Sequence, residues 1–373
     1  MRKIGLTTIY SVPNYGSVLQ AFATQEILKK LNYECHIINY KYPNEWHYRQ
    51  GAYKPTLKFK IAQLLGLSYH HRKQKRLKNF IKKFFNLTRE YSSLEDLKSE
   101  NWNDYYIIAV GSDQVWNAKY LKGDSVFMLS YLPDNIKRIS IASSFALKSI
   151  PNEYQKKYKY FLSKFNAISV REPNGIKIIN DELGINKNIQ VLLDPTLLLS
   201  KDDWLNLIPR SKFKKSDKYI LFYMLDYAFN PKPYIFEVLS FFTKKLGYKV
   251  IALEGYQKID VKYGIDMLNK TDATIYEFID LFANADLVIT SSFHGTAFGV
   301  NFGKPTISII PSDKGDDRQS GLLSSINLKQ CIIPIGTDIE KITPFYDSYI
   351  EQKDLENRRK ESLEWITANL KGW

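Results

Sequence analysis

Apolar residues fall along this chain in short runs, each closed by Gly, Asn, Ser or a charged pair and followed by a segment in which they recur every three or four positions. That alternation predicts strands connected by amphipathic helices. KIGLTTIY reads as a strand, NYGSVLQAFATQEILKKLN as a turn and helix, and ECHIINY as a second strand. Such a βαβ unit implies a right-handed crossover and a parallel sheet. After a long basic insert, DYYIIAVGS, RISIASSF and NAISVRE read as further strands, and IQVLLDPTLLL closes the first half near residue 199. SKDDWLNLIPRSKFKKSDK has the composition of a linker. The second half runs through KYILFYML, a helix over PYIFEVLSFFTKKLG, YKVIALEG, a helix over TIYEFIDLFANA, the strand DLVITSS, the segment GTAFGVNFG and PTISII. Residues 346–373 read as a charged helix, and no internal repeat is present. The expected fold class is therefore α/β, with two Rossmann-like domains, 1–199 and 200–373, facing a cleft. Ligands in such sheets bind beyond the carboxyl ends of the strands, so the loops after strands are where chemistry is to be sought.

Composition narrows this little: 373 residues, 44% hydrophobic and 14% aromatic, describe a folded chain with room for two cores. Cys35 and Cys331 are far apart and form no metal or redox spacing, which suits a reduced, cytoplasmic setting. The N-terminal apolar run is broken at Pro13 and Asn14, so it reads as a first strand and not as a signal peptide. No stretch approaches the roughly 20 apolar residues of a spanning helix.

Charge changes the picture more. The formal net charge is +14, and from Trp46 to Arg89 there are twelve Lys and Arg but no Asp or Glu. Such a block (the insert, about 46–89) favours an anionic partner, either membrane lipid or a phosphate-bearing substrate. Nucleic acid ranks lower, because no zinc-finger spacing or RNP-like aromatic motif is present. Within the block, Leu77, Phe80, Ile81, Phe84 and Phe85 share one helical face, with Arg76, Lys78, Lys82 and Lys83 around it. A core-facing helix with a solvated basic rim is the favoured reading. A helix lying on an anionic leaflet is the alternative.

Four loops qualify for chemistry. Asn14-Tyr15-Gly16-Ser17 joins a strand to a helix whose free N–H groups suit an anion or a sugar hydroxyl, although Asn14 and Ser17 equally suit a plain turn and cap. Gly111-Ser112-Asp113-Gln114-Val115-Trp116-Asn117 follows DYYIIAV and gathers an acid, an amide and a Trp. That resembles a sugar-binding or acid–base cluster; its alternative is an N-cap at Asp113 with Trp116 in the core. Arg171, with Glu172, ends NAISV and suits bidentate capture of carboxylate or phosphate, or else forms a surface pair. His294 follows the apolar DLVITSS and opens a segment in which Gly295, Gly299 and Gly303 recur every four residues. On a helix those glycines share a face, which lets the helix lie against the sheet and brings its positive end to an anion beside His294. Lys304, Lys314 and Arg318 add cations downstream. Asp316 and Asp317 are adjacent and lack a third ligand, so no metal is expected. Walker A, GxGxxG and GxSxG patterns are absent from the sequence.

Taken in order, NYGSVLQAFATQ, VGSDQVWN, ISVRE, LLDPTLLL, SSFHGTAFGVNFGKP and the loop with Arg318 and GLLSSINL resemble the polysaccharide pyruvyl transferase family over roughly residues 1–330. The resemblance implies a GT-B-like fold and transfer of pyruvate from phosphoenolpyruvate to a sugar as a cyclic ketal, with no cofactor. It also implies a bacterial capsule or exopolysaccharide setting, and a galactose-type hexose acceptor on a lipid diphosphate at the inner face of the plasma membrane. On this reading His294 is the principal acid/base and Asp113 a second proton-transfer candidate. Arg171, Arg318, Ser292, Gly295 and Lys304 hold the donor; Asn14, Tyr15, Gly16, Gln114 and Trp116 hold the acceptor. The chain departs from the family at Ser292, where an Arg is common two positions before the strand-end His. That departure keeps a nucleotide-sugar glycosyltransferase of the same fold as the alternative.

Overall fold

The structure, a computed structural model, describes residues 1–41, 68–207, 217–255, 263–313, 317–346 and 348–371. Residues 42–67 of the basic insert, 208–216 of the linker, and Lys314 and Asp316 lie outside the described residues. Two compact units emerge from the contacts: Met1–Gln50, Ile81–Leu198 and Asn357–Trp373 form one, Gly51–Phe80 and Leu199–Glu356 the other. Relative to a single cut near residue 199, most of the insert groups with the second unit and the end of the C-terminal helix with the first.

In the first unit the strands β1 (Arg2–Thr7), β2 (Tyr33–Tyr40), β3 (Leu87–Tyr91), β4 (Ile107–Val110) and β5 (Arg138–Ser140) form a parallel sheet in the order β3-β2-β1-β4-β5. Register is set by apolar pairs such as Ile4 opposite Cys35 and Ile107, which keep one face buried. The helix Tyr15–Lys30 makes the crossover; Lys29 and Lys30 in its last turn complement the helix dipole. It is buried almost all round, from Val18 through Ala23, which is why its sequence shows little amphipathic contrast. β6 (Ile168–Val170) pairs with β7 (Ile189–Val191), and bridges from Ile139 to Ala167 and from Ser143 to Val170 continue the sheet.

β3 is an edge strand whose sequence, LTREY, exposes Arg89 and Glu90, a charged pattern that protects an open edge and hides the strand from a hydrophobicity reading. The C-terminal helix runs from Ser348 to Lys371, and its second half serves the first unit. There Arg359 Nε donates to the Leu197 carbonyl at 2.7 Å, Ser362 Oγ accepts from Leu193 N at 3.1 Å, and Tyr33 Oη donates to the Leu370 carbonyl at 3.1 Å.

The second unit repeats the plan. Strands β8 (Tyr219–Tyr223), β9 (Lys249–Glu254), β10 (Met267–Asn269), β11 (Leu287–Thr290), β12 (Thr306–Ile310) and β13 (Ile332–Pro334) lie parallel in the order β10-β9-β8-β11-β12-β13. The central strands β8, β11 and β12 are buried at every residue, as expected of a sheet covered on both faces. Helix Ile275–Asn284 starts with a capping box between Thr274 and Glu277.

The helix Tyr69–Phe84 buries Leu77 and Phe80 and exposes Lys75, Lys78, Lys82 and Lys83, the arrangement of a core-facing helix with a basic rim. Within the second unit its cations meet acids. Lys73 contacts Glu254, Arg72 Nε lies 2.6 Å from Asp272 Oδ2, and Arg76 lies 3.6 Å from the same oxygen. Lys73 is fully buried, and desolvation lowers its pKa to about 7, so the Glu254 carboxylate is what makes a cation tolerable there. Removing one partner of such a pair leaves a buried charge, whereas removing both does not. Glu254→Leu is expected to lower stability in chemical denaturation by about 3 kcal/mol or more, and Lys73→Met added to it to restore most of that loss.

Candidate functional site

In the second unit, the carboxyl end of β11 runs straight into the helix Phe293–Asn301. Thr290 Oγ1 donates to the Tyr223 carbonyl at 2.6 Å and accepts from Ser292 N at 3.0 Å. Ser291 Oγ donates to the Leu225 carbonyl at 2.7 Å and accepts from Leu225 N at 2.9 Å. Thr290 and Ser291 thus tie the turn to the end of β8 and the residues just after it without any long side chain. Ser292 is the N-cap, its Oγ accepting from Gly295 N at 3.3 Å. His294 stands in the first turn, only 7% exposed, with its ring edge-on to Phe293 at 5.2 Å.

The glycines do what their spacing predicts at two of three positions. A Cβ at Gly295 would overlap Thr290 Oγ1 and come within 2.9 Å of Tyr223 Cδ1, and one at Gly299 would overlap Thr306 Oγ1. Gly303 differs: it lies beyond the helix, with φ of 63°, and serves as a left-handed terminator.

A polar knot fixes what lies beside this turn. Thr296 Oγ1 and Ser308 Oγ are 2.7 Å apart, and Gln319 Nε2 donates to Ser308 Oγ at 2.8 Å. The helix Arg318–Ser325 therefore begins against the first turns of the His294 helix, with Arg318 itself buried. Lys304 is not part of this group. It follows the far end of the nine-residue helix and precedes β12, at the amino edge of the sheet, beyond about 10 Å of helix rise from His294. Its carbonyl accepts from Tyr346 Oη and Thr306 Oγ1, at 2.6 and 2.8 Å.

In the first unit the loops after β1, β4, β5 and β6 meet through hydrogen bonds. Asn14 is the N-cap of Tyr15–Lys30, its Oδ1 accepting from Gly16 N at 2.8 Å and Ser17 N at 3.4 Å, as the turn-and-cap alternative foresees. Tyr15 is fully buried and Gly16 is buried too, so neither presents a surface to a sugar. Trp116 is also a core residue: fully buried, its Nε1 donates to the Phe127 carbonyl at 2.9 Å and its ring packs on Phe145 at 5.1 Å. Gln114 Oε1 accepts from Asn117 Nδ2 at 2.9 Å, and Asn117, rather than Asp113, caps the following short helix.

Asp113 has a different task. It adopts a left-handed φ of 70°, and its Oδ2 accepts from Ser17 Oγ at 2.6 Å while Oδ1 accepts from Gln114 N at 2.9 Å. Left-handed backbone recurs close by at Ala142 (φ 51°) and Ala146 (φ 48°), where a methyl side chain makes it cost about 1 kcal/mol or more.

Arg171 and Glu172 are not a surface pair, since both side chains are 2% exposed. Arg171 donates from a terminal guanidinium nitrogen to Asp194 Oδ2 at 2.8 Å. This commits it to the interior rather than to a bound anion. Asp194 is the residue that sequence reasoning passed over, and Glu172, considered only as a surface partner of Arg171, is a buried acceptor instead. The signal for Asp194 is visible in LLDPT, an Asp followed by Pro, which is a helix-start pattern; its Oδ1 indeed accepts from Thr196 N at 3.0 Å. Among the described residues no group of His, Cys, Asp and Glu could hold a metal ion, and no helix is long and apolar enough to cross a membrane.

A family model described as polysaccharide pyruvyl transferase matches residues 14–313. A search of curated proteins gives no match. Among solved structures, the UDP-GlcNAc 2-epimerase of Neisseria meningitidis bound to UDP-GlcNAc is similar, with a TM-score of 0.52 at 10% identity over 98% of this chain and 99% of that one. A further UDP-N-acetylglucosamine 2-epimerase gives 0.54 at 12% identity over 99% and 96%. A putative epimerase of this kind from Listeria monocytogenes gives 0.50 at 11% over 98% and 90%. At such identities the likeness shows the fold, which is GT-B-like, and nothing of the chemistry.

The tight seat of the His294 helix is open to test. Gly295→Ala is expected to lower stability by about 1–3 kcal/mol through overpacking, read as a fall in the thermal midpoint. A similar substitution at Gly247, which has open space around it but a φ of 67°, tests backbone strain alone and is expected to cost about 1 kcal/mol.

Proposed function

We propose that this chain, which belongs to the polysaccharide pyruvyl transferase family and so is a transferase, moves pyruvate from phosphoenolpyruvate to two hydroxyls of a hexose as a cyclic ketal. The observation that carries this reading is the seating of His294 in the first turn of a helix pressed against the end of β11. A helix N-terminus favours an anion, and a histidine beside it can carry a proton near neutral pH. Phosphoenolpyruvate brings a carboxylate and a phosphate to such a place, and Arg318, at the start of the neighbouring helix, supplies a cation that Ser292 does not.

The chemistry then has assigned parts. His294 delivers a proton to the methylene carbon, which leaves the adjacent carbon electrophilic. One sugar hydroxyl adds there and gives up its proton, for which Asp113 is the candidate acceptor. The second hydroxyl adds to the same carbon as the carbon–oxygen bond to phosphate breaks, its proton passing back to His294; the ketal closes and inorganic phosphate leaves. Asn14 and Gln114 lie on the same loops as Asp113 and suit the acceptor's remaining hydroxyls.

A galactose-type hexose carried on a lipid diphosphate, in capsule or exopolysaccharide assembly, is the acceptor class proposed. The exposed Lys75, Lys78, Lys82 and Lys83 support work at an anionic inner leaflet. Because the apolar side of their helix is buried at Leu77 and Phe80, the contact proposed is electrostatic and not insertion.

Acceptor-dependent release of inorganic phosphate from phosphoenolpyruvate, with a pyruvyl mass gained by the glycan, is the expected result with lipid-linked hexoses. His294→Ala should reduce that release by about a hundredfold or more while leaving the circular dichroism spectrum unchanged; retained turnover would sink the assignment. Release of a nucleoside diphosphate from a nucleotide sugar would replace the reading with the glycosyltransferase one. Sedimentation with vesicles of phosphatidylglycerol should weaken when Lys78, Lys82 and Lys83 are changed together to Gln, and unchanged binding would remove the membrane contact.

A further inference from the structure

We infer that Asp194, Arg171 and Glu172 are positioning residues that hold Asp113 in its left-handed conformation, so that its carboxylate meets the acceptor hydroxyl from a fixed point. The inference rests on the reading of Asp113 as the hydroxyl's proton acceptor.

The geometry is that of a clamp with two jaws. On one side of residue 113, Ser112 Oγ donates to Asp194 Oδ2 at 2.9 Å. On the other, the Asp113 carbonyl accepts from Ser144 N at 3.1 Å, and Ser144 Oγ donates to Glu172 Oε1 at 2.9 Å. That same Glu172 oxygen accepts from Phe145 N at 2.7 Å and Ala146 N at 3.1 Å. Arg171 joins the jaws, 2.8 Å from Asp194 Oδ2 and 3.9 Å from Glu172 Oε2, with all three side chains 2% exposed or less.

A buried ion pair serving stability alone would need only its own partners. Here Asp194 holds Ser112, the residue before Asp113, and Glu172 holds the Ser144–Ala146 turn whose first N–H bonds the Asp113 carbonyl. The backbone they hold is the kind that relaxes unless its surroundings over-determine it: Asp113 at φ 70° and, at the far jaw, Ala146 at φ 48°. Asp113 keeps its side chain aimed by a further bond from Ser17 Oγ at 2.6 Å. Displacing a reacting group by about 1 Å costs on the order of a hundredfold in rate, so a clamp on this residue is a device for turnover.

The test is a cycle of variants. Ser112→Ala and Asp194→Asn are made in the wild-type chain and in Asp113→Asn, whose side chain also tolerates the left-handed region. Acceptor-dependent phosphate release is measured for each, and crystal structures are determined for Ser112→Ala and Asp194→Asn. In the wild-type background Asp194→Asn should lower kcat about a hundredfold and Ser112→Ala about tenfold, with KM for phosphoenolpyruvate unchanged. On Asp113→Asn the same changes should cost less than about twofold, because the residue they act through is gone. In the Asp194→Asn structure, residue 113 should have left the left-handed region. Losses that multiply through the Asp113→Asn background, or a residue 113 that keeps its φ in both structures, would overturn the inference. Should Asp194→Asn fail to fold, Ser112→Ala decides, since it leaves the Arg171–Asp194 pair intact. If the wild-type chain releases no phosphate, the reaction assignment fails by itself. The clamp is then judged by the backbone at 113 alone, a relaxed φ upholding it and an unchanged one refuting it.

Discussion

A carboxylate sealed from water must be met by charge and hydrogen bonds, and in the first unit that requirement falls on Asp194. With its side chain fully shielded, it receives Arg171 and Ser112 on one oxygen and the Thr196 hydroxyl and backbone N–H on the other. Each donor comes from a different stretch after a strand, so satisfying one buried charge brings the loops after β4, β6 and β7 to a common point. Glu172 repeats the logic for the loop after β5. The sheet provides parallel strand ends, and the buried acids decide how the loops leave them.

The second unit meets the same need with different means. Thr290, Ser291 and Ser292 fasten its critical turn with hydroxyls, and the helix gains its seat by having no side chain at Gly295 and Gly299. Short groups allow a close approach that a salt bridge would prop open. Ser292 shows what this entails. As the N-cap it takes a backbone N–H in the first turn, a service that a long cation at that position does not perform in the same way.

The sequence made much of this legible, and the failures have physical causes. Buried parallel strands such as β8 and β11 announce themselves as unbroken apolar runs, and the positions of His294, Gly295 and Gly299 followed from strand-then-glycine spacing. β3 escaped because an edge strand carries charge. Tyr15 and Trp116 were misjudged as sugar-binding surfaces because a large aromatic near a strand end looks the same in sequence whether its ring faces solvent or core. Lys304 was misplaced because, ten residues after His294, the chain has run the length of the helix to the opposite edge of the sheet. Arg171 was read as a free cation since its partner, Asp194, lies 23 residues away in the chain. Pairings of that kind are fixed by tertiary packing, which local pattern does not encode.

Charge separates the two sheet edges, and that separation bears on what each can bind more than the fold does. The loops of the first unit carry carboxylate and amide groups, Asp113, Gln114 and Asn14, the first two of them buried, with the neighbouring guanidinium of Arg171 withdrawn into the interior. Such an edge suits a neutral, hydroxyl-rich ligand from which protons are to be taken. On the second unit, acids also stand at the carboxyl ends of strands, Glu254 at the end of β9 and Asp272 just after β10, and uncompensated they would repel an anion. The helix Tyr69–Phe84 answers them with Lys73, Arg72 and Arg76. With those acids paired, they no longer oppose an anion at the N-terminus of the His294 helix. The basic character of this segment therefore has two separable parts. The inward cations make the second sheet edge compatible with an anionic ligand, and only the outward lysines are available to an external surface. A net charge summed over the sequence cannot tell these apart, because the first group is already paired with acids almost two hundred residues away, Arg72 and Arg76 sharing Asp272 and Lys73 meeting Glu254.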